Sequence, residues 1–195
     1  VRPHPHLLDG FEQVIRALLA AKPPLMYVGG GILLADAATE MRKLAEHLSL
    51  PVAHTLMGKG ALPDDHPLIL GMTGFWGTKF INDKTLAADC ILALGTRFSE
   101  ADCSSWEEAY TFRMPPTKLI HIDIDSNEIG RNFPVEIGVV TDLKEALVVL
   151  NRVARKLLPK GRRCAVFRLN SGRMAARSSP TSPRWRRRRL RRPRM

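Results

Sequence analysis

The sequence is poor in cysteine. Cys90, Cys103 and Cys164 are the only three among 195 residues, and no pair of them has C-x-x-C spacing. A sparse, odd set of this kind argues against a disulfide framework and against a zinc site. It is typical of proteins from a reducing compartment, so we expect a cytoplasmic location.

Long apolar runs are also missing. No stretch reaches the ~18 consecutive apolar residues that indicate a transmembrane helix. The first residues include Arg2, His4 and His6, but no apolar run typical of a signal peptide follows them. We therefore expect no membrane segment and no membrane partner.

Acidic residues are absent from the C-terminal part of the chain. None follows Glu145, whereas residues 1–159 contain 16 Lys or Arg and 19 Asp or Glu, a net charge of −3. The other 14 basic residues all lie in residues 160–195, so the formal charge of +11 is a property of this tail. We predict a folded domain over residues 1–159 and a disordered, Arg-rich tail over residues 160–195. The tail would bind polyanions without specificity, and the negative charge of the domain disfavours specific nucleic-acid recognition.

Helical and strand patterns alternate within residues 1–159. Apolar residues three and four positions apart predict four helices, over Asp9–Ala21, Ala37–Leu50, Phe80–Ala88 and the segment that Asp142 caps. Short apolar or β-branched runs predict strands at residues 25–28, 51–54, 90–94, 118–125 and 135–140. The alternation predicts an α/β fold, a doubly wound parallel sheet of about six strands with helices on both faces. Segments 68–77 and 98–116 have no assigned element.

The stretch Lys118–Gly130 suggests a binding edge. Isoleucines at positions 120, 122 and 124 alternate with polar residues, which predicts a strand with one apolar face. Asp123 and Asp125 then lie at the carboxyl end of this strand, where open α/β sheets bind their ligands. The alternative interpretation is an ordinary solvated strand end.

Gly29, Gly30 and Gly31 follow the first predicted strand. Glycines at such a turn let backbone N–H groups approach an anionic ligand closely. The G-x-G-x-x-G fingerprint is not met, because Leu34 stands at the third glycine position, so we expect no NAD site. A tight turn without a ligand is the alternative.

A second glycine cluster surrounds two aromatic residues. Gly71, Gly74 and Gly77 stand beside Phe75 and Trp76. Glycines beside aromatic rings can form a slot for a flat ring system. The alternative is a packed loop in which both aromatic side chains are buried.

Arg97 follows the strand at residues 90–94 and a glycine. A guanidinium group at this position could bind a phosphate through two hydrogen bonds, or it could pair with Glu100 or Asp102 on the surface. No nucleophile motif, phosphate-binding loop or metal-ligand spacing is present, so we expect no self-contained catalytic site.

Five motifs, in this order, resemble one family. They are Tyr27-Val-Gly-Gly-Gly31, Thr55-Leu-Met-Gly58, Gly71-Met-Thr-Gly-Phe-Trp-Gly-Thr78, Gly95-Thr-Arg-Phe98 and His121-Ile-Asp-Ile-Asp125. Residues 7–159 are similar to the central domain of acetolactate synthase and related thiamine-diphosphate enzymes. The resemblance implies a six-stranded parallel sheet, which in acetolactate synthase holds FAD in a structural role and in some relatives binds ADP or nothing.

The resemblance also implies a cofactor site that spans several strand ends and takes FAD or ADP. Its residues, carried over position by position, are Gly30, Gly31, Thr55, Leu56, Thr73, Gly74, Phe75, Trp76, Gly95, Thr96, Arg97, Asp123, Ile124 and Asp142. The chain departs from the family at two places. Trp76 replaces a His, and the family's Arg-Phe-Asp-Asp-Arg is Arg97-Phe98-Ser99-Glu100-Ala101, which lacks one acid and one arginine.

The parent reaction implied by the resemblance decarboxylates a 2-oxo acid and transfers the two-carbon fragment to another carbonyl. Its thiamine diphosphate and Mg²⁺ lie between subunits, in two flanking domains, and the Gly-Asp-Gly motif that binds them does not occur here. We expect a scaffold domain, inactive alone, with other domains or subunits of a homo-oligomeric enzyme as partners. The alternatives are a stand-alone nucleotide-binding module and, less favoured, a nucleic-acid binder that acts through its tail.

Overall fold

Apolar segments of the sequence form the strands of one parallel sheet. The computed structural model describes residues 5–160. The strands are β1 Pro24–Val28, β2 Val52–His54, β3 Ile69–Met72, β4 Cys90–Leu94, β5 Lys118–Asp123 and β6 Ile137–Val140. Every neighbouring pair is parallel, and the order across the sheet is β3-β2-β1-β4-β5-β6. The predicted fold class is therefore confirmed.

Helices and short 3₁₀ turns connect the strands. The helices are α1 Pro5–Ala20, α2 Gly31–Leu34, α3 Ala38–Leu48, α4 Lys79–Leu86 and α5 Leu143–Leu157. The 3₁₀ turns are Leu56–Gly58, Gly74–Trp76 and Ala101–Cys103. The predicted cap of α5 is present, because Asp142 Oδ1 accepts the N–H groups of Lys144 and Glu145 at 2.9 and 3.1 Å.

The chain changes direction across the sheet between β1 and β4. It moves outward from β1 through β2 to β3, then returns to pair β4 with the other side of β1. In doubly wound sheets, ligands bind outside the carboxyl ends of the strands at such a point. Because all strands are parallel, their six carboxyl ends lie along one edge, which we call the carboxyl edge.

Three helices cover one face of the sheet. Helices α1, α3 and α5 contribute apolar residues three and four positions apart, as the sequence predicts. Those of α1 and α3 that are buried against the strands are Phe11, Val14, Ile15, Leu18, Met41, Leu44, Ala45 and Leu48. This layer holds the larger of the two apolar cores.

The opposite face is covered by α4 and by the irregular segment 98–117. Ile81 of α4 packs there with Phe98, Phe112 and Met114. The segment is fastened by hydroxyl groups, because Thr85 Oγ1 donates to the Thr111 carbonyl at 2.6 Å. Helices therefore lie on both faces, but an irregular segment provides most of the second layer.

Strand β5 differs from its prediction, because it is buried on both faces. Ile120 and Ile122 belong to the core under the helices, whereas Leu119 belongs to the opposite core. His121 is 1% exposed, and Ile124, just past the strand, is 70% exposed. Parallel sheets are covered on both sides, so the polar positions of β5 do not form a solvated face.

No helix in the described part of the chain is both long enough and apolar enough to cross a bilayer. The predicted tail over residues 160–195 lies, from residue 161 onward, outside the described residues.

Candidate functional site

The fold brings the predicted site residues to one edge. Each of the 14 follows the carboxyl end of a strand or ends it: two follow β1, two β2, four β3 and three β4, while Asp123 and Ile124 stand at the end of β5 and Asp142 follows β6. Parallel strands cause this clustering, since residues far apart in sequence then share one edge. The side chains nevertheless differ in whether they face the solvent or are engaged within the protein.

The glycines after β1 and β4 pack against each other. The N–H groups of Gly29 and Gly31 donate to the carbonyls of Leu94 and Gly95 at 3.0 and 3.1 Å. A Cβ atom added at Gly31 would lie 2.8 Å from the Cα of Gly95, which has a left-handed φ of +58°. These glycines therefore permit close contact between two loops, and the N–H groups of Gly29 and Gly31 are not available to a ligand.

Thr55 and Thr73 are buried and serve the loops themselves. Thr55 Oγ1 accepts the N–H of Gly58 at 3.0 Å and so caps the 3₁₀ turn after β2. Thr73 Oγ1 lies 3.0 Å from the Tyr27 hydroxyl and donates to the Asp102 carbonyl at 3.0 Å. The Thr55 hydroxyl thus stabilises its own turn, whereas the Thr73 hydroxyl connects the end of β3 to β1 and to the loop after β4.

Asp102, which sequence reasoning named only as a partner for Arg97, connects three loops. Its Oδ1 accepts the N–H of Leu56 at 3.2 Å, and its Oδ2 accepts the Ser99 hydroxyl at 2.5 Å. Gly74 lets the loop after β3 approach the loop that contains Asp102, because a Cβ at this position would lie 2.0 Å from the Ala101 carbonyl oxygen. No periodicity in the sequence indicates this connection.

Phe75 and Trp76 are exposed rather than buried. Their exposures are 58% and 70%, which contradicts the alternative of a packed loop with buried aromatics. Phe75 and Gly74 line a cleft of about 740 Å³, and the ring of Tyr110 lines it as well. The predicted slot for a flat ring therefore has a matching concave surface, bounded by two aromatic side chains.

Arg97 is exposed beside the end of β4. Neither Glu100 nor Asp102 pairs with it: Glu100 accepts the Ser105 hydroxyl, and Asp102 accepts Ser99 and Leu56. Among the described residues, no carboxylate lies within ion-pair distance of its guanidinium group. A cation without such a partner at a strand end retains its capacity to bind an anion.

Phe98 fixes the loop that carries Arg97. It is buried with a left-handed φ of +50°, and its ring centroid lies 5.3–5.6 Å from those of Tyr27, Phe112, His121 and Phe133. Such a backbone conformation is costly outside glycine, and the aromatic contacts offset that cost.

His121 joins β5 to the loop after β4. Its Nε2 donates to the Thr96 carbonyl at 2.9 Å and lies 4.0 Å from Asp123 Oδ2. Burial lowers the pKa of His121, while the Thr96 bond and the carboxylates of Asp123 and Glu128 oppose this shift. The imidazole is consequently neutral at neutral pH and positions the loop of Arg97.

The remaining predicted site residues lie at or after the carboxyl ends of β5 and β6. They are Asp123, Ile124 and Asp142. Asp123 Oδ1 accepts the N–H of Asp125 at 3.0 Å and so stabilises a turn directly after β5. Ile124 presents its apolar side chain to the solvent. Asp142 Oδ1 is engaged in the α5 cap, so this carboxylate oxygen has a structural role.

Glu128, in the turn after β5, is a candidate that the sequence analysis did not single out as a site residue. Its side chain is 8% exposed, and Oε1 accepts a bond from Arg131 Nη1 at 2.9 Å. Oε2 is buried and has no hydrogen-bond partner within the described residues. The one signal in the sequence was its position five residues after Asp123.

Neither a metal centre nor a reactive thiol forms here. Within residues 10–160, no group of three or more His, Cys, Asp or Glu could hold a metal ion. Burial raises the pKa of Cys90 to about 11 and also raises that of Cys103, so both thiols are protonated at neutral pH.

The groups that remain free suit a nucleotide. Arg97 provides a cation, Asp123 and Glu128 provide hydrogen-bond acceptors, and Phe75 provides an aromatic surface. Phosphates require the first, sugar hydroxyls the second and a flat ring the third. The residue types present are therefore compatible with FAD or ADP, but the cleft beside Phe75 is lined by none of Arg97, Asp123 and Glu128, and the N–H groups of Gly29 and Gly31 are engaged within the protein.

Sequence comparison identifies the same family as the motifs. A sequence model described as "Thiamine pyrophosphate enzyme, central domain" matches residues 11–150. A probable acetolactate synthase large subunit from Methanocaldococcus jannaschii is 39% identical over 136 residues, which are 70% of this chain and 22% of that protein.

Two further relatives agree. The acetolactate synthase large subunit of Corynebacterium glutamicum is 40% identical over 139 residues, 71% of this chain and 22% of that protein. The glyoxylate carboligase of Escherichia coli O157:H7 is 38% identical over 152 residues, 77% of this chain and 25% of that protein. The chain thus spans a quarter or less of the length of these relatives.

Proposed function

The chain belongs to the thiamine pyrophosphate enzyme central-domain family, and from this premise we propose that it is the structural, nucleotide-holding domain of an acetolactate-synthase-like enzyme. The observation that supports this proposal is the carboxyl edge. There, an exposed Arg97 follows β4, Asp123 ends the neighbouring strand β5, and Glu128 lies in the turn after β5. A scaffold domain needs such groups to hold a nucleotide, but it needs no nucleophile or metal ligands.

The reaction of the whole enzyme is proposed as the decarboxylation of a 2-oxo acid and transfer of the fragment to a second carbonyl. Thiamine diphosphate with Mg²⁺ would supply the carbanion chemistry when bound. The described residues offer no metal-ligand group, so we assign the binding of both cofactors to other parts of such an enzyme. The contribution of this chain is to bind FAD or ADP and to orient the loops of the edge.

Other domains or subunits of a homo-oligomeric enzyme are the proposed partners. Several large apolar side chains on the carboxyl edge are more than half exposed, namely Leu34, Leu56, Met57, Phe75, Trp76, Phe80 and Ile124. Apolar clusters of this kind mark interaction surfaces in proteins. We place the enzyme in the cytoplasm, because its cysteines are few and the two described ones are buried free thiols.

Ligand titration tests the nucleotide role. The purified chain should show a flavin absorption spectrum or bind added FAD or ADP. Arg97→Ala should weaken the binding of both by about 1–3 kcal/mol through the phosphates, and Asp123→Ala by a similar amount through the adenosine part.

Matched controls are Arg42→Ala and Asp64→Ala, which remove surface charges from exposed ion pairs with Glu46 and Lys59. These variants should leave affinity unchanged. Absence of any binding by the unmodified chain, or equal affinity in all variants, would leave the domain with a scaffold role alone.

A further inference from the structure

A cleft beside α4 contains none of the charged groups that the carboxyl edge offers to a nucleotide. Its volume is about 740 Å³, and it is lined by residues of the 3₁₀ turn Gly74–Trp76, of α4 and of segment 98–117. None of Arg97, Asp123 and Glu128 lines it. Clefts of about 300–1,000 Å³ are typical of small-molecule sites. We call it the aromatic cleft and ask which ligand its own residues select.

Two exposed aromatic rings line the aromatic cleft. Phe75 and Tyr110 are 58% and 62% exposed. Large apolar side chains that are exposed together on one concave surface mark interaction sites in proteins. The faces of aromatic rings are electron-rich and attract ammonium and guanidinium groups. The two rings therefore favour a ligand that is flat, cationic or both.

The charged groups of the cleft leave one carboxylate unpaired. Lys79 Nζ donates to both carboxylate oxygens of Asp83, at 2.7 and 2.8 Å, so these two charges neutralise each other. Glu107 also lines the cleft, and within residues 10–160 no cationic side chain lies within ion-pair distance of its carboxylate. The net negative charge attracts cations and repels phosphates.

A strained backbone segment leads into Glu107. Residues 104–106 have φ values between +51° and +56°, so three successive residues are left-handed although none is glycine. Such conformations are costly and cluster at functional sites, including ligand clamps. Trp106 Nε1 donates to the Phe98 carbonyl at 2.9 Å and anchors this segment to the loop after β4.

The side of the cleft that carries Phe75 is anchored as well. Asn82 of α4 forms two hydrogen bonds with the backbone of Gly74, because its Oδ1 accepts the N–H and its Nδ2 donates to the carbonyl, both at 3.1 Å. Both sides of the cleft are thus fastened by hydrogen bonds. A ligand would enter a preformed cleft, without the entropy loss of ordering it.

The groups that remain free select an organic cation. A neutral flat ring would use the aromatic surfaces but not the carboxylate of Glu107. A metal ion would need several ligands, and the described residues contain no group of three or more. We propose that the aromatic cleft binds a small organic cation of the ammonium or guanidinium class, which lies against Phe75 and Tyr110 and pairs with Glu107.

The test compares cations with neutral molecules of similar shape. The cationic probes are benzylammonium and phenylguanidinium, and their neutral counterparts are benzyl alcohol and phenylurea. NMR titration of the full chain should show that at least one cation binds about tenfold more tightly than its counterpart. Glu107→Gln should abolish this preference, and Tyr110→Leu should reduce it because one aromatic face is lost.

Glu108→Gln and Tyr110→Phe are the matched controls. Glu108 is exposed beside Glu107 but does not line the cleft, and Tyr110→Phe retains an aromatic ring. Both variants should keep the full preference for the cation. All four variants should melt close to the unmodified chain, because the substituted side chains are exposed.

Arginine side chains of a polypeptide carry the same cation as the guanidinium probe. A chain in which the arginines of residues 184–194 are replaced by glutamine tests this source. Tighter probe binding by that chain would support the site and identify arginine as a competitor for it. Equal binding by both chains, with the preference retained, would support a free small molecule as the ligand.

Three results would overturn the proposal. They are failure of both cations to bind, equal affinity for the cations and their neutral counterparts, and a preference that survives in Glu107→Gln. Each of them would leave the nucleotide-binding role intact, because that role uses Arg97 and Asp123 and is measured with ADP and FAD. The cation site in turn does not depend on nucleotide binding.

Discussion

At the scale of single residues, glycine on the carboxyl edge has a different role from the one its sequence context suggests. The run Gly29-Gly30-Gly31 resembles a phosphate-binding turn, yet the N–H groups of Gly29 and Gly31 bond to the β4 loop. Their small size matters because two loops meet at the switch point between β1 and β4. The anion-binding capacity of the edge is therefore concentrated in Arg97.

Gly95→Ala should test this packing role. A Cβ atom would lie 2.8 Å from Gly31 Cα and 2.7 Å from Leu143 Cδ1, at a backbone φ of +58°. We expect the free energy of unfolding to fall by about 2–4 kcal/mol, from left-handed strain and from overpacking together. Urea denaturation measures it.

Gly130→Ala is the control for Gly95→Ala. Gly130 also has a left-handed φ, +77°, but no atom lies within 4 Å of its added Cβ. The free energy of unfolding of Gly130→Ala should therefore fall only by the strain contribution of about 1–2 kcal/mol. Equal losses in the two variants would show that the loop contact contributes nothing.

His121 predicts a pH dependence of stability. Burial lowers its pKa in the folded protein, whereas the unfolded chain titrates near the ordinary value of about 6.5. The unfolded state therefore binds the proton first as pH falls. The free energy of unfolding should decrease from pH 6.5 downward and level off below the folded pKa.

The measurement is chemical denaturation between pH 8 and pH 5, with His121→Gln as the comparison. The variant should be less stable at pH 8, because the ring contact with Phe98 is lost, but its stability should depend less on pH in this range. The same slope in both proteins would assign the pH dependence to other groups.

At the scale of elements, helices with regular apolar spacing were predictable, and their layer was the reliable part of the sequence interpretation. Strand β3 was not. It covers Ile69–Met72 with every residue half-buried, contains Gly71 at φ +118° and pairs irregularly with β2. An edge strand of four residues without a fully buried face gives neither a strong apolar run nor a clear alternation.

Segment 98–117 was also beyond prediction from periodicity. Its order depends on hydrogen bonds between distant residues, such as Thr117 Oγ1 to the Ala88 carbonyl and Ser104 Oγ to Thr111 Oγ1. These contacts have no repeat in the sequence. The same reason explains the site: strand ends were predictable as a group, but the role of Asp102 depends on contacts with other loops.

Helix α5 provides a prediction at this scale. Asp142 was carried over as a cofactor residue, but its Oδ1 caps the helix through two backbone N–H groups. Asp142→Ala should lower the free energy of unfolding by about 1 kcal/mol, while Asp142→Asn should retain most of the stability because Asn caps helices equally well. Nucleotide affinity measured on the two folded variants checks the other role, and a loss in both would support direct contact with the ligand.

At the scale of the whole molecule, charge separates the chain into two parts. Residues 1–159 have a net charge of −3, whereas residues 160–195 contain 14 basic residues and no acidic residue. Deleting residues 160–195 should leave the melting temperature nearly unchanged, because this segment has too little apolar periodicity to add to a core. The deletion should also abolish salt-sensitive retention on heparin.

Thermal melting and heparin chromatography of both chains check this prediction together. A control chain in which the arginines of residues 184–194 are replaced by glutamine should lose heparin binding and keep its full length. A large drop in melting temperature on deletion would show that the segment contributes to the fold.

By itself, the whole chain should have no catalytic activity. Carboligation requires thiamine diphosphate and Mg²⁺ in a fixed geometry, and the described residues provide no group of three metal ligands. Two titratable groups of the edge are engaged in structural roles, since His121 bonds to Thr96 and Asp142 caps α5. We expect no steady-state consumption of pyruvate or glyoxylate when the pure chain is supplied with both cofactors.

Nucleotide binding by the same preparation demonstrates that it is folded, and a complete acetolactate synthase assayed in parallel demonstrates that the assay works. Turnover that requires thiamine diphosphate and Mg²⁺ and persists through repeated purification would refute the scaffold role, because residues of this chain would then have to hold the reactive cofactor.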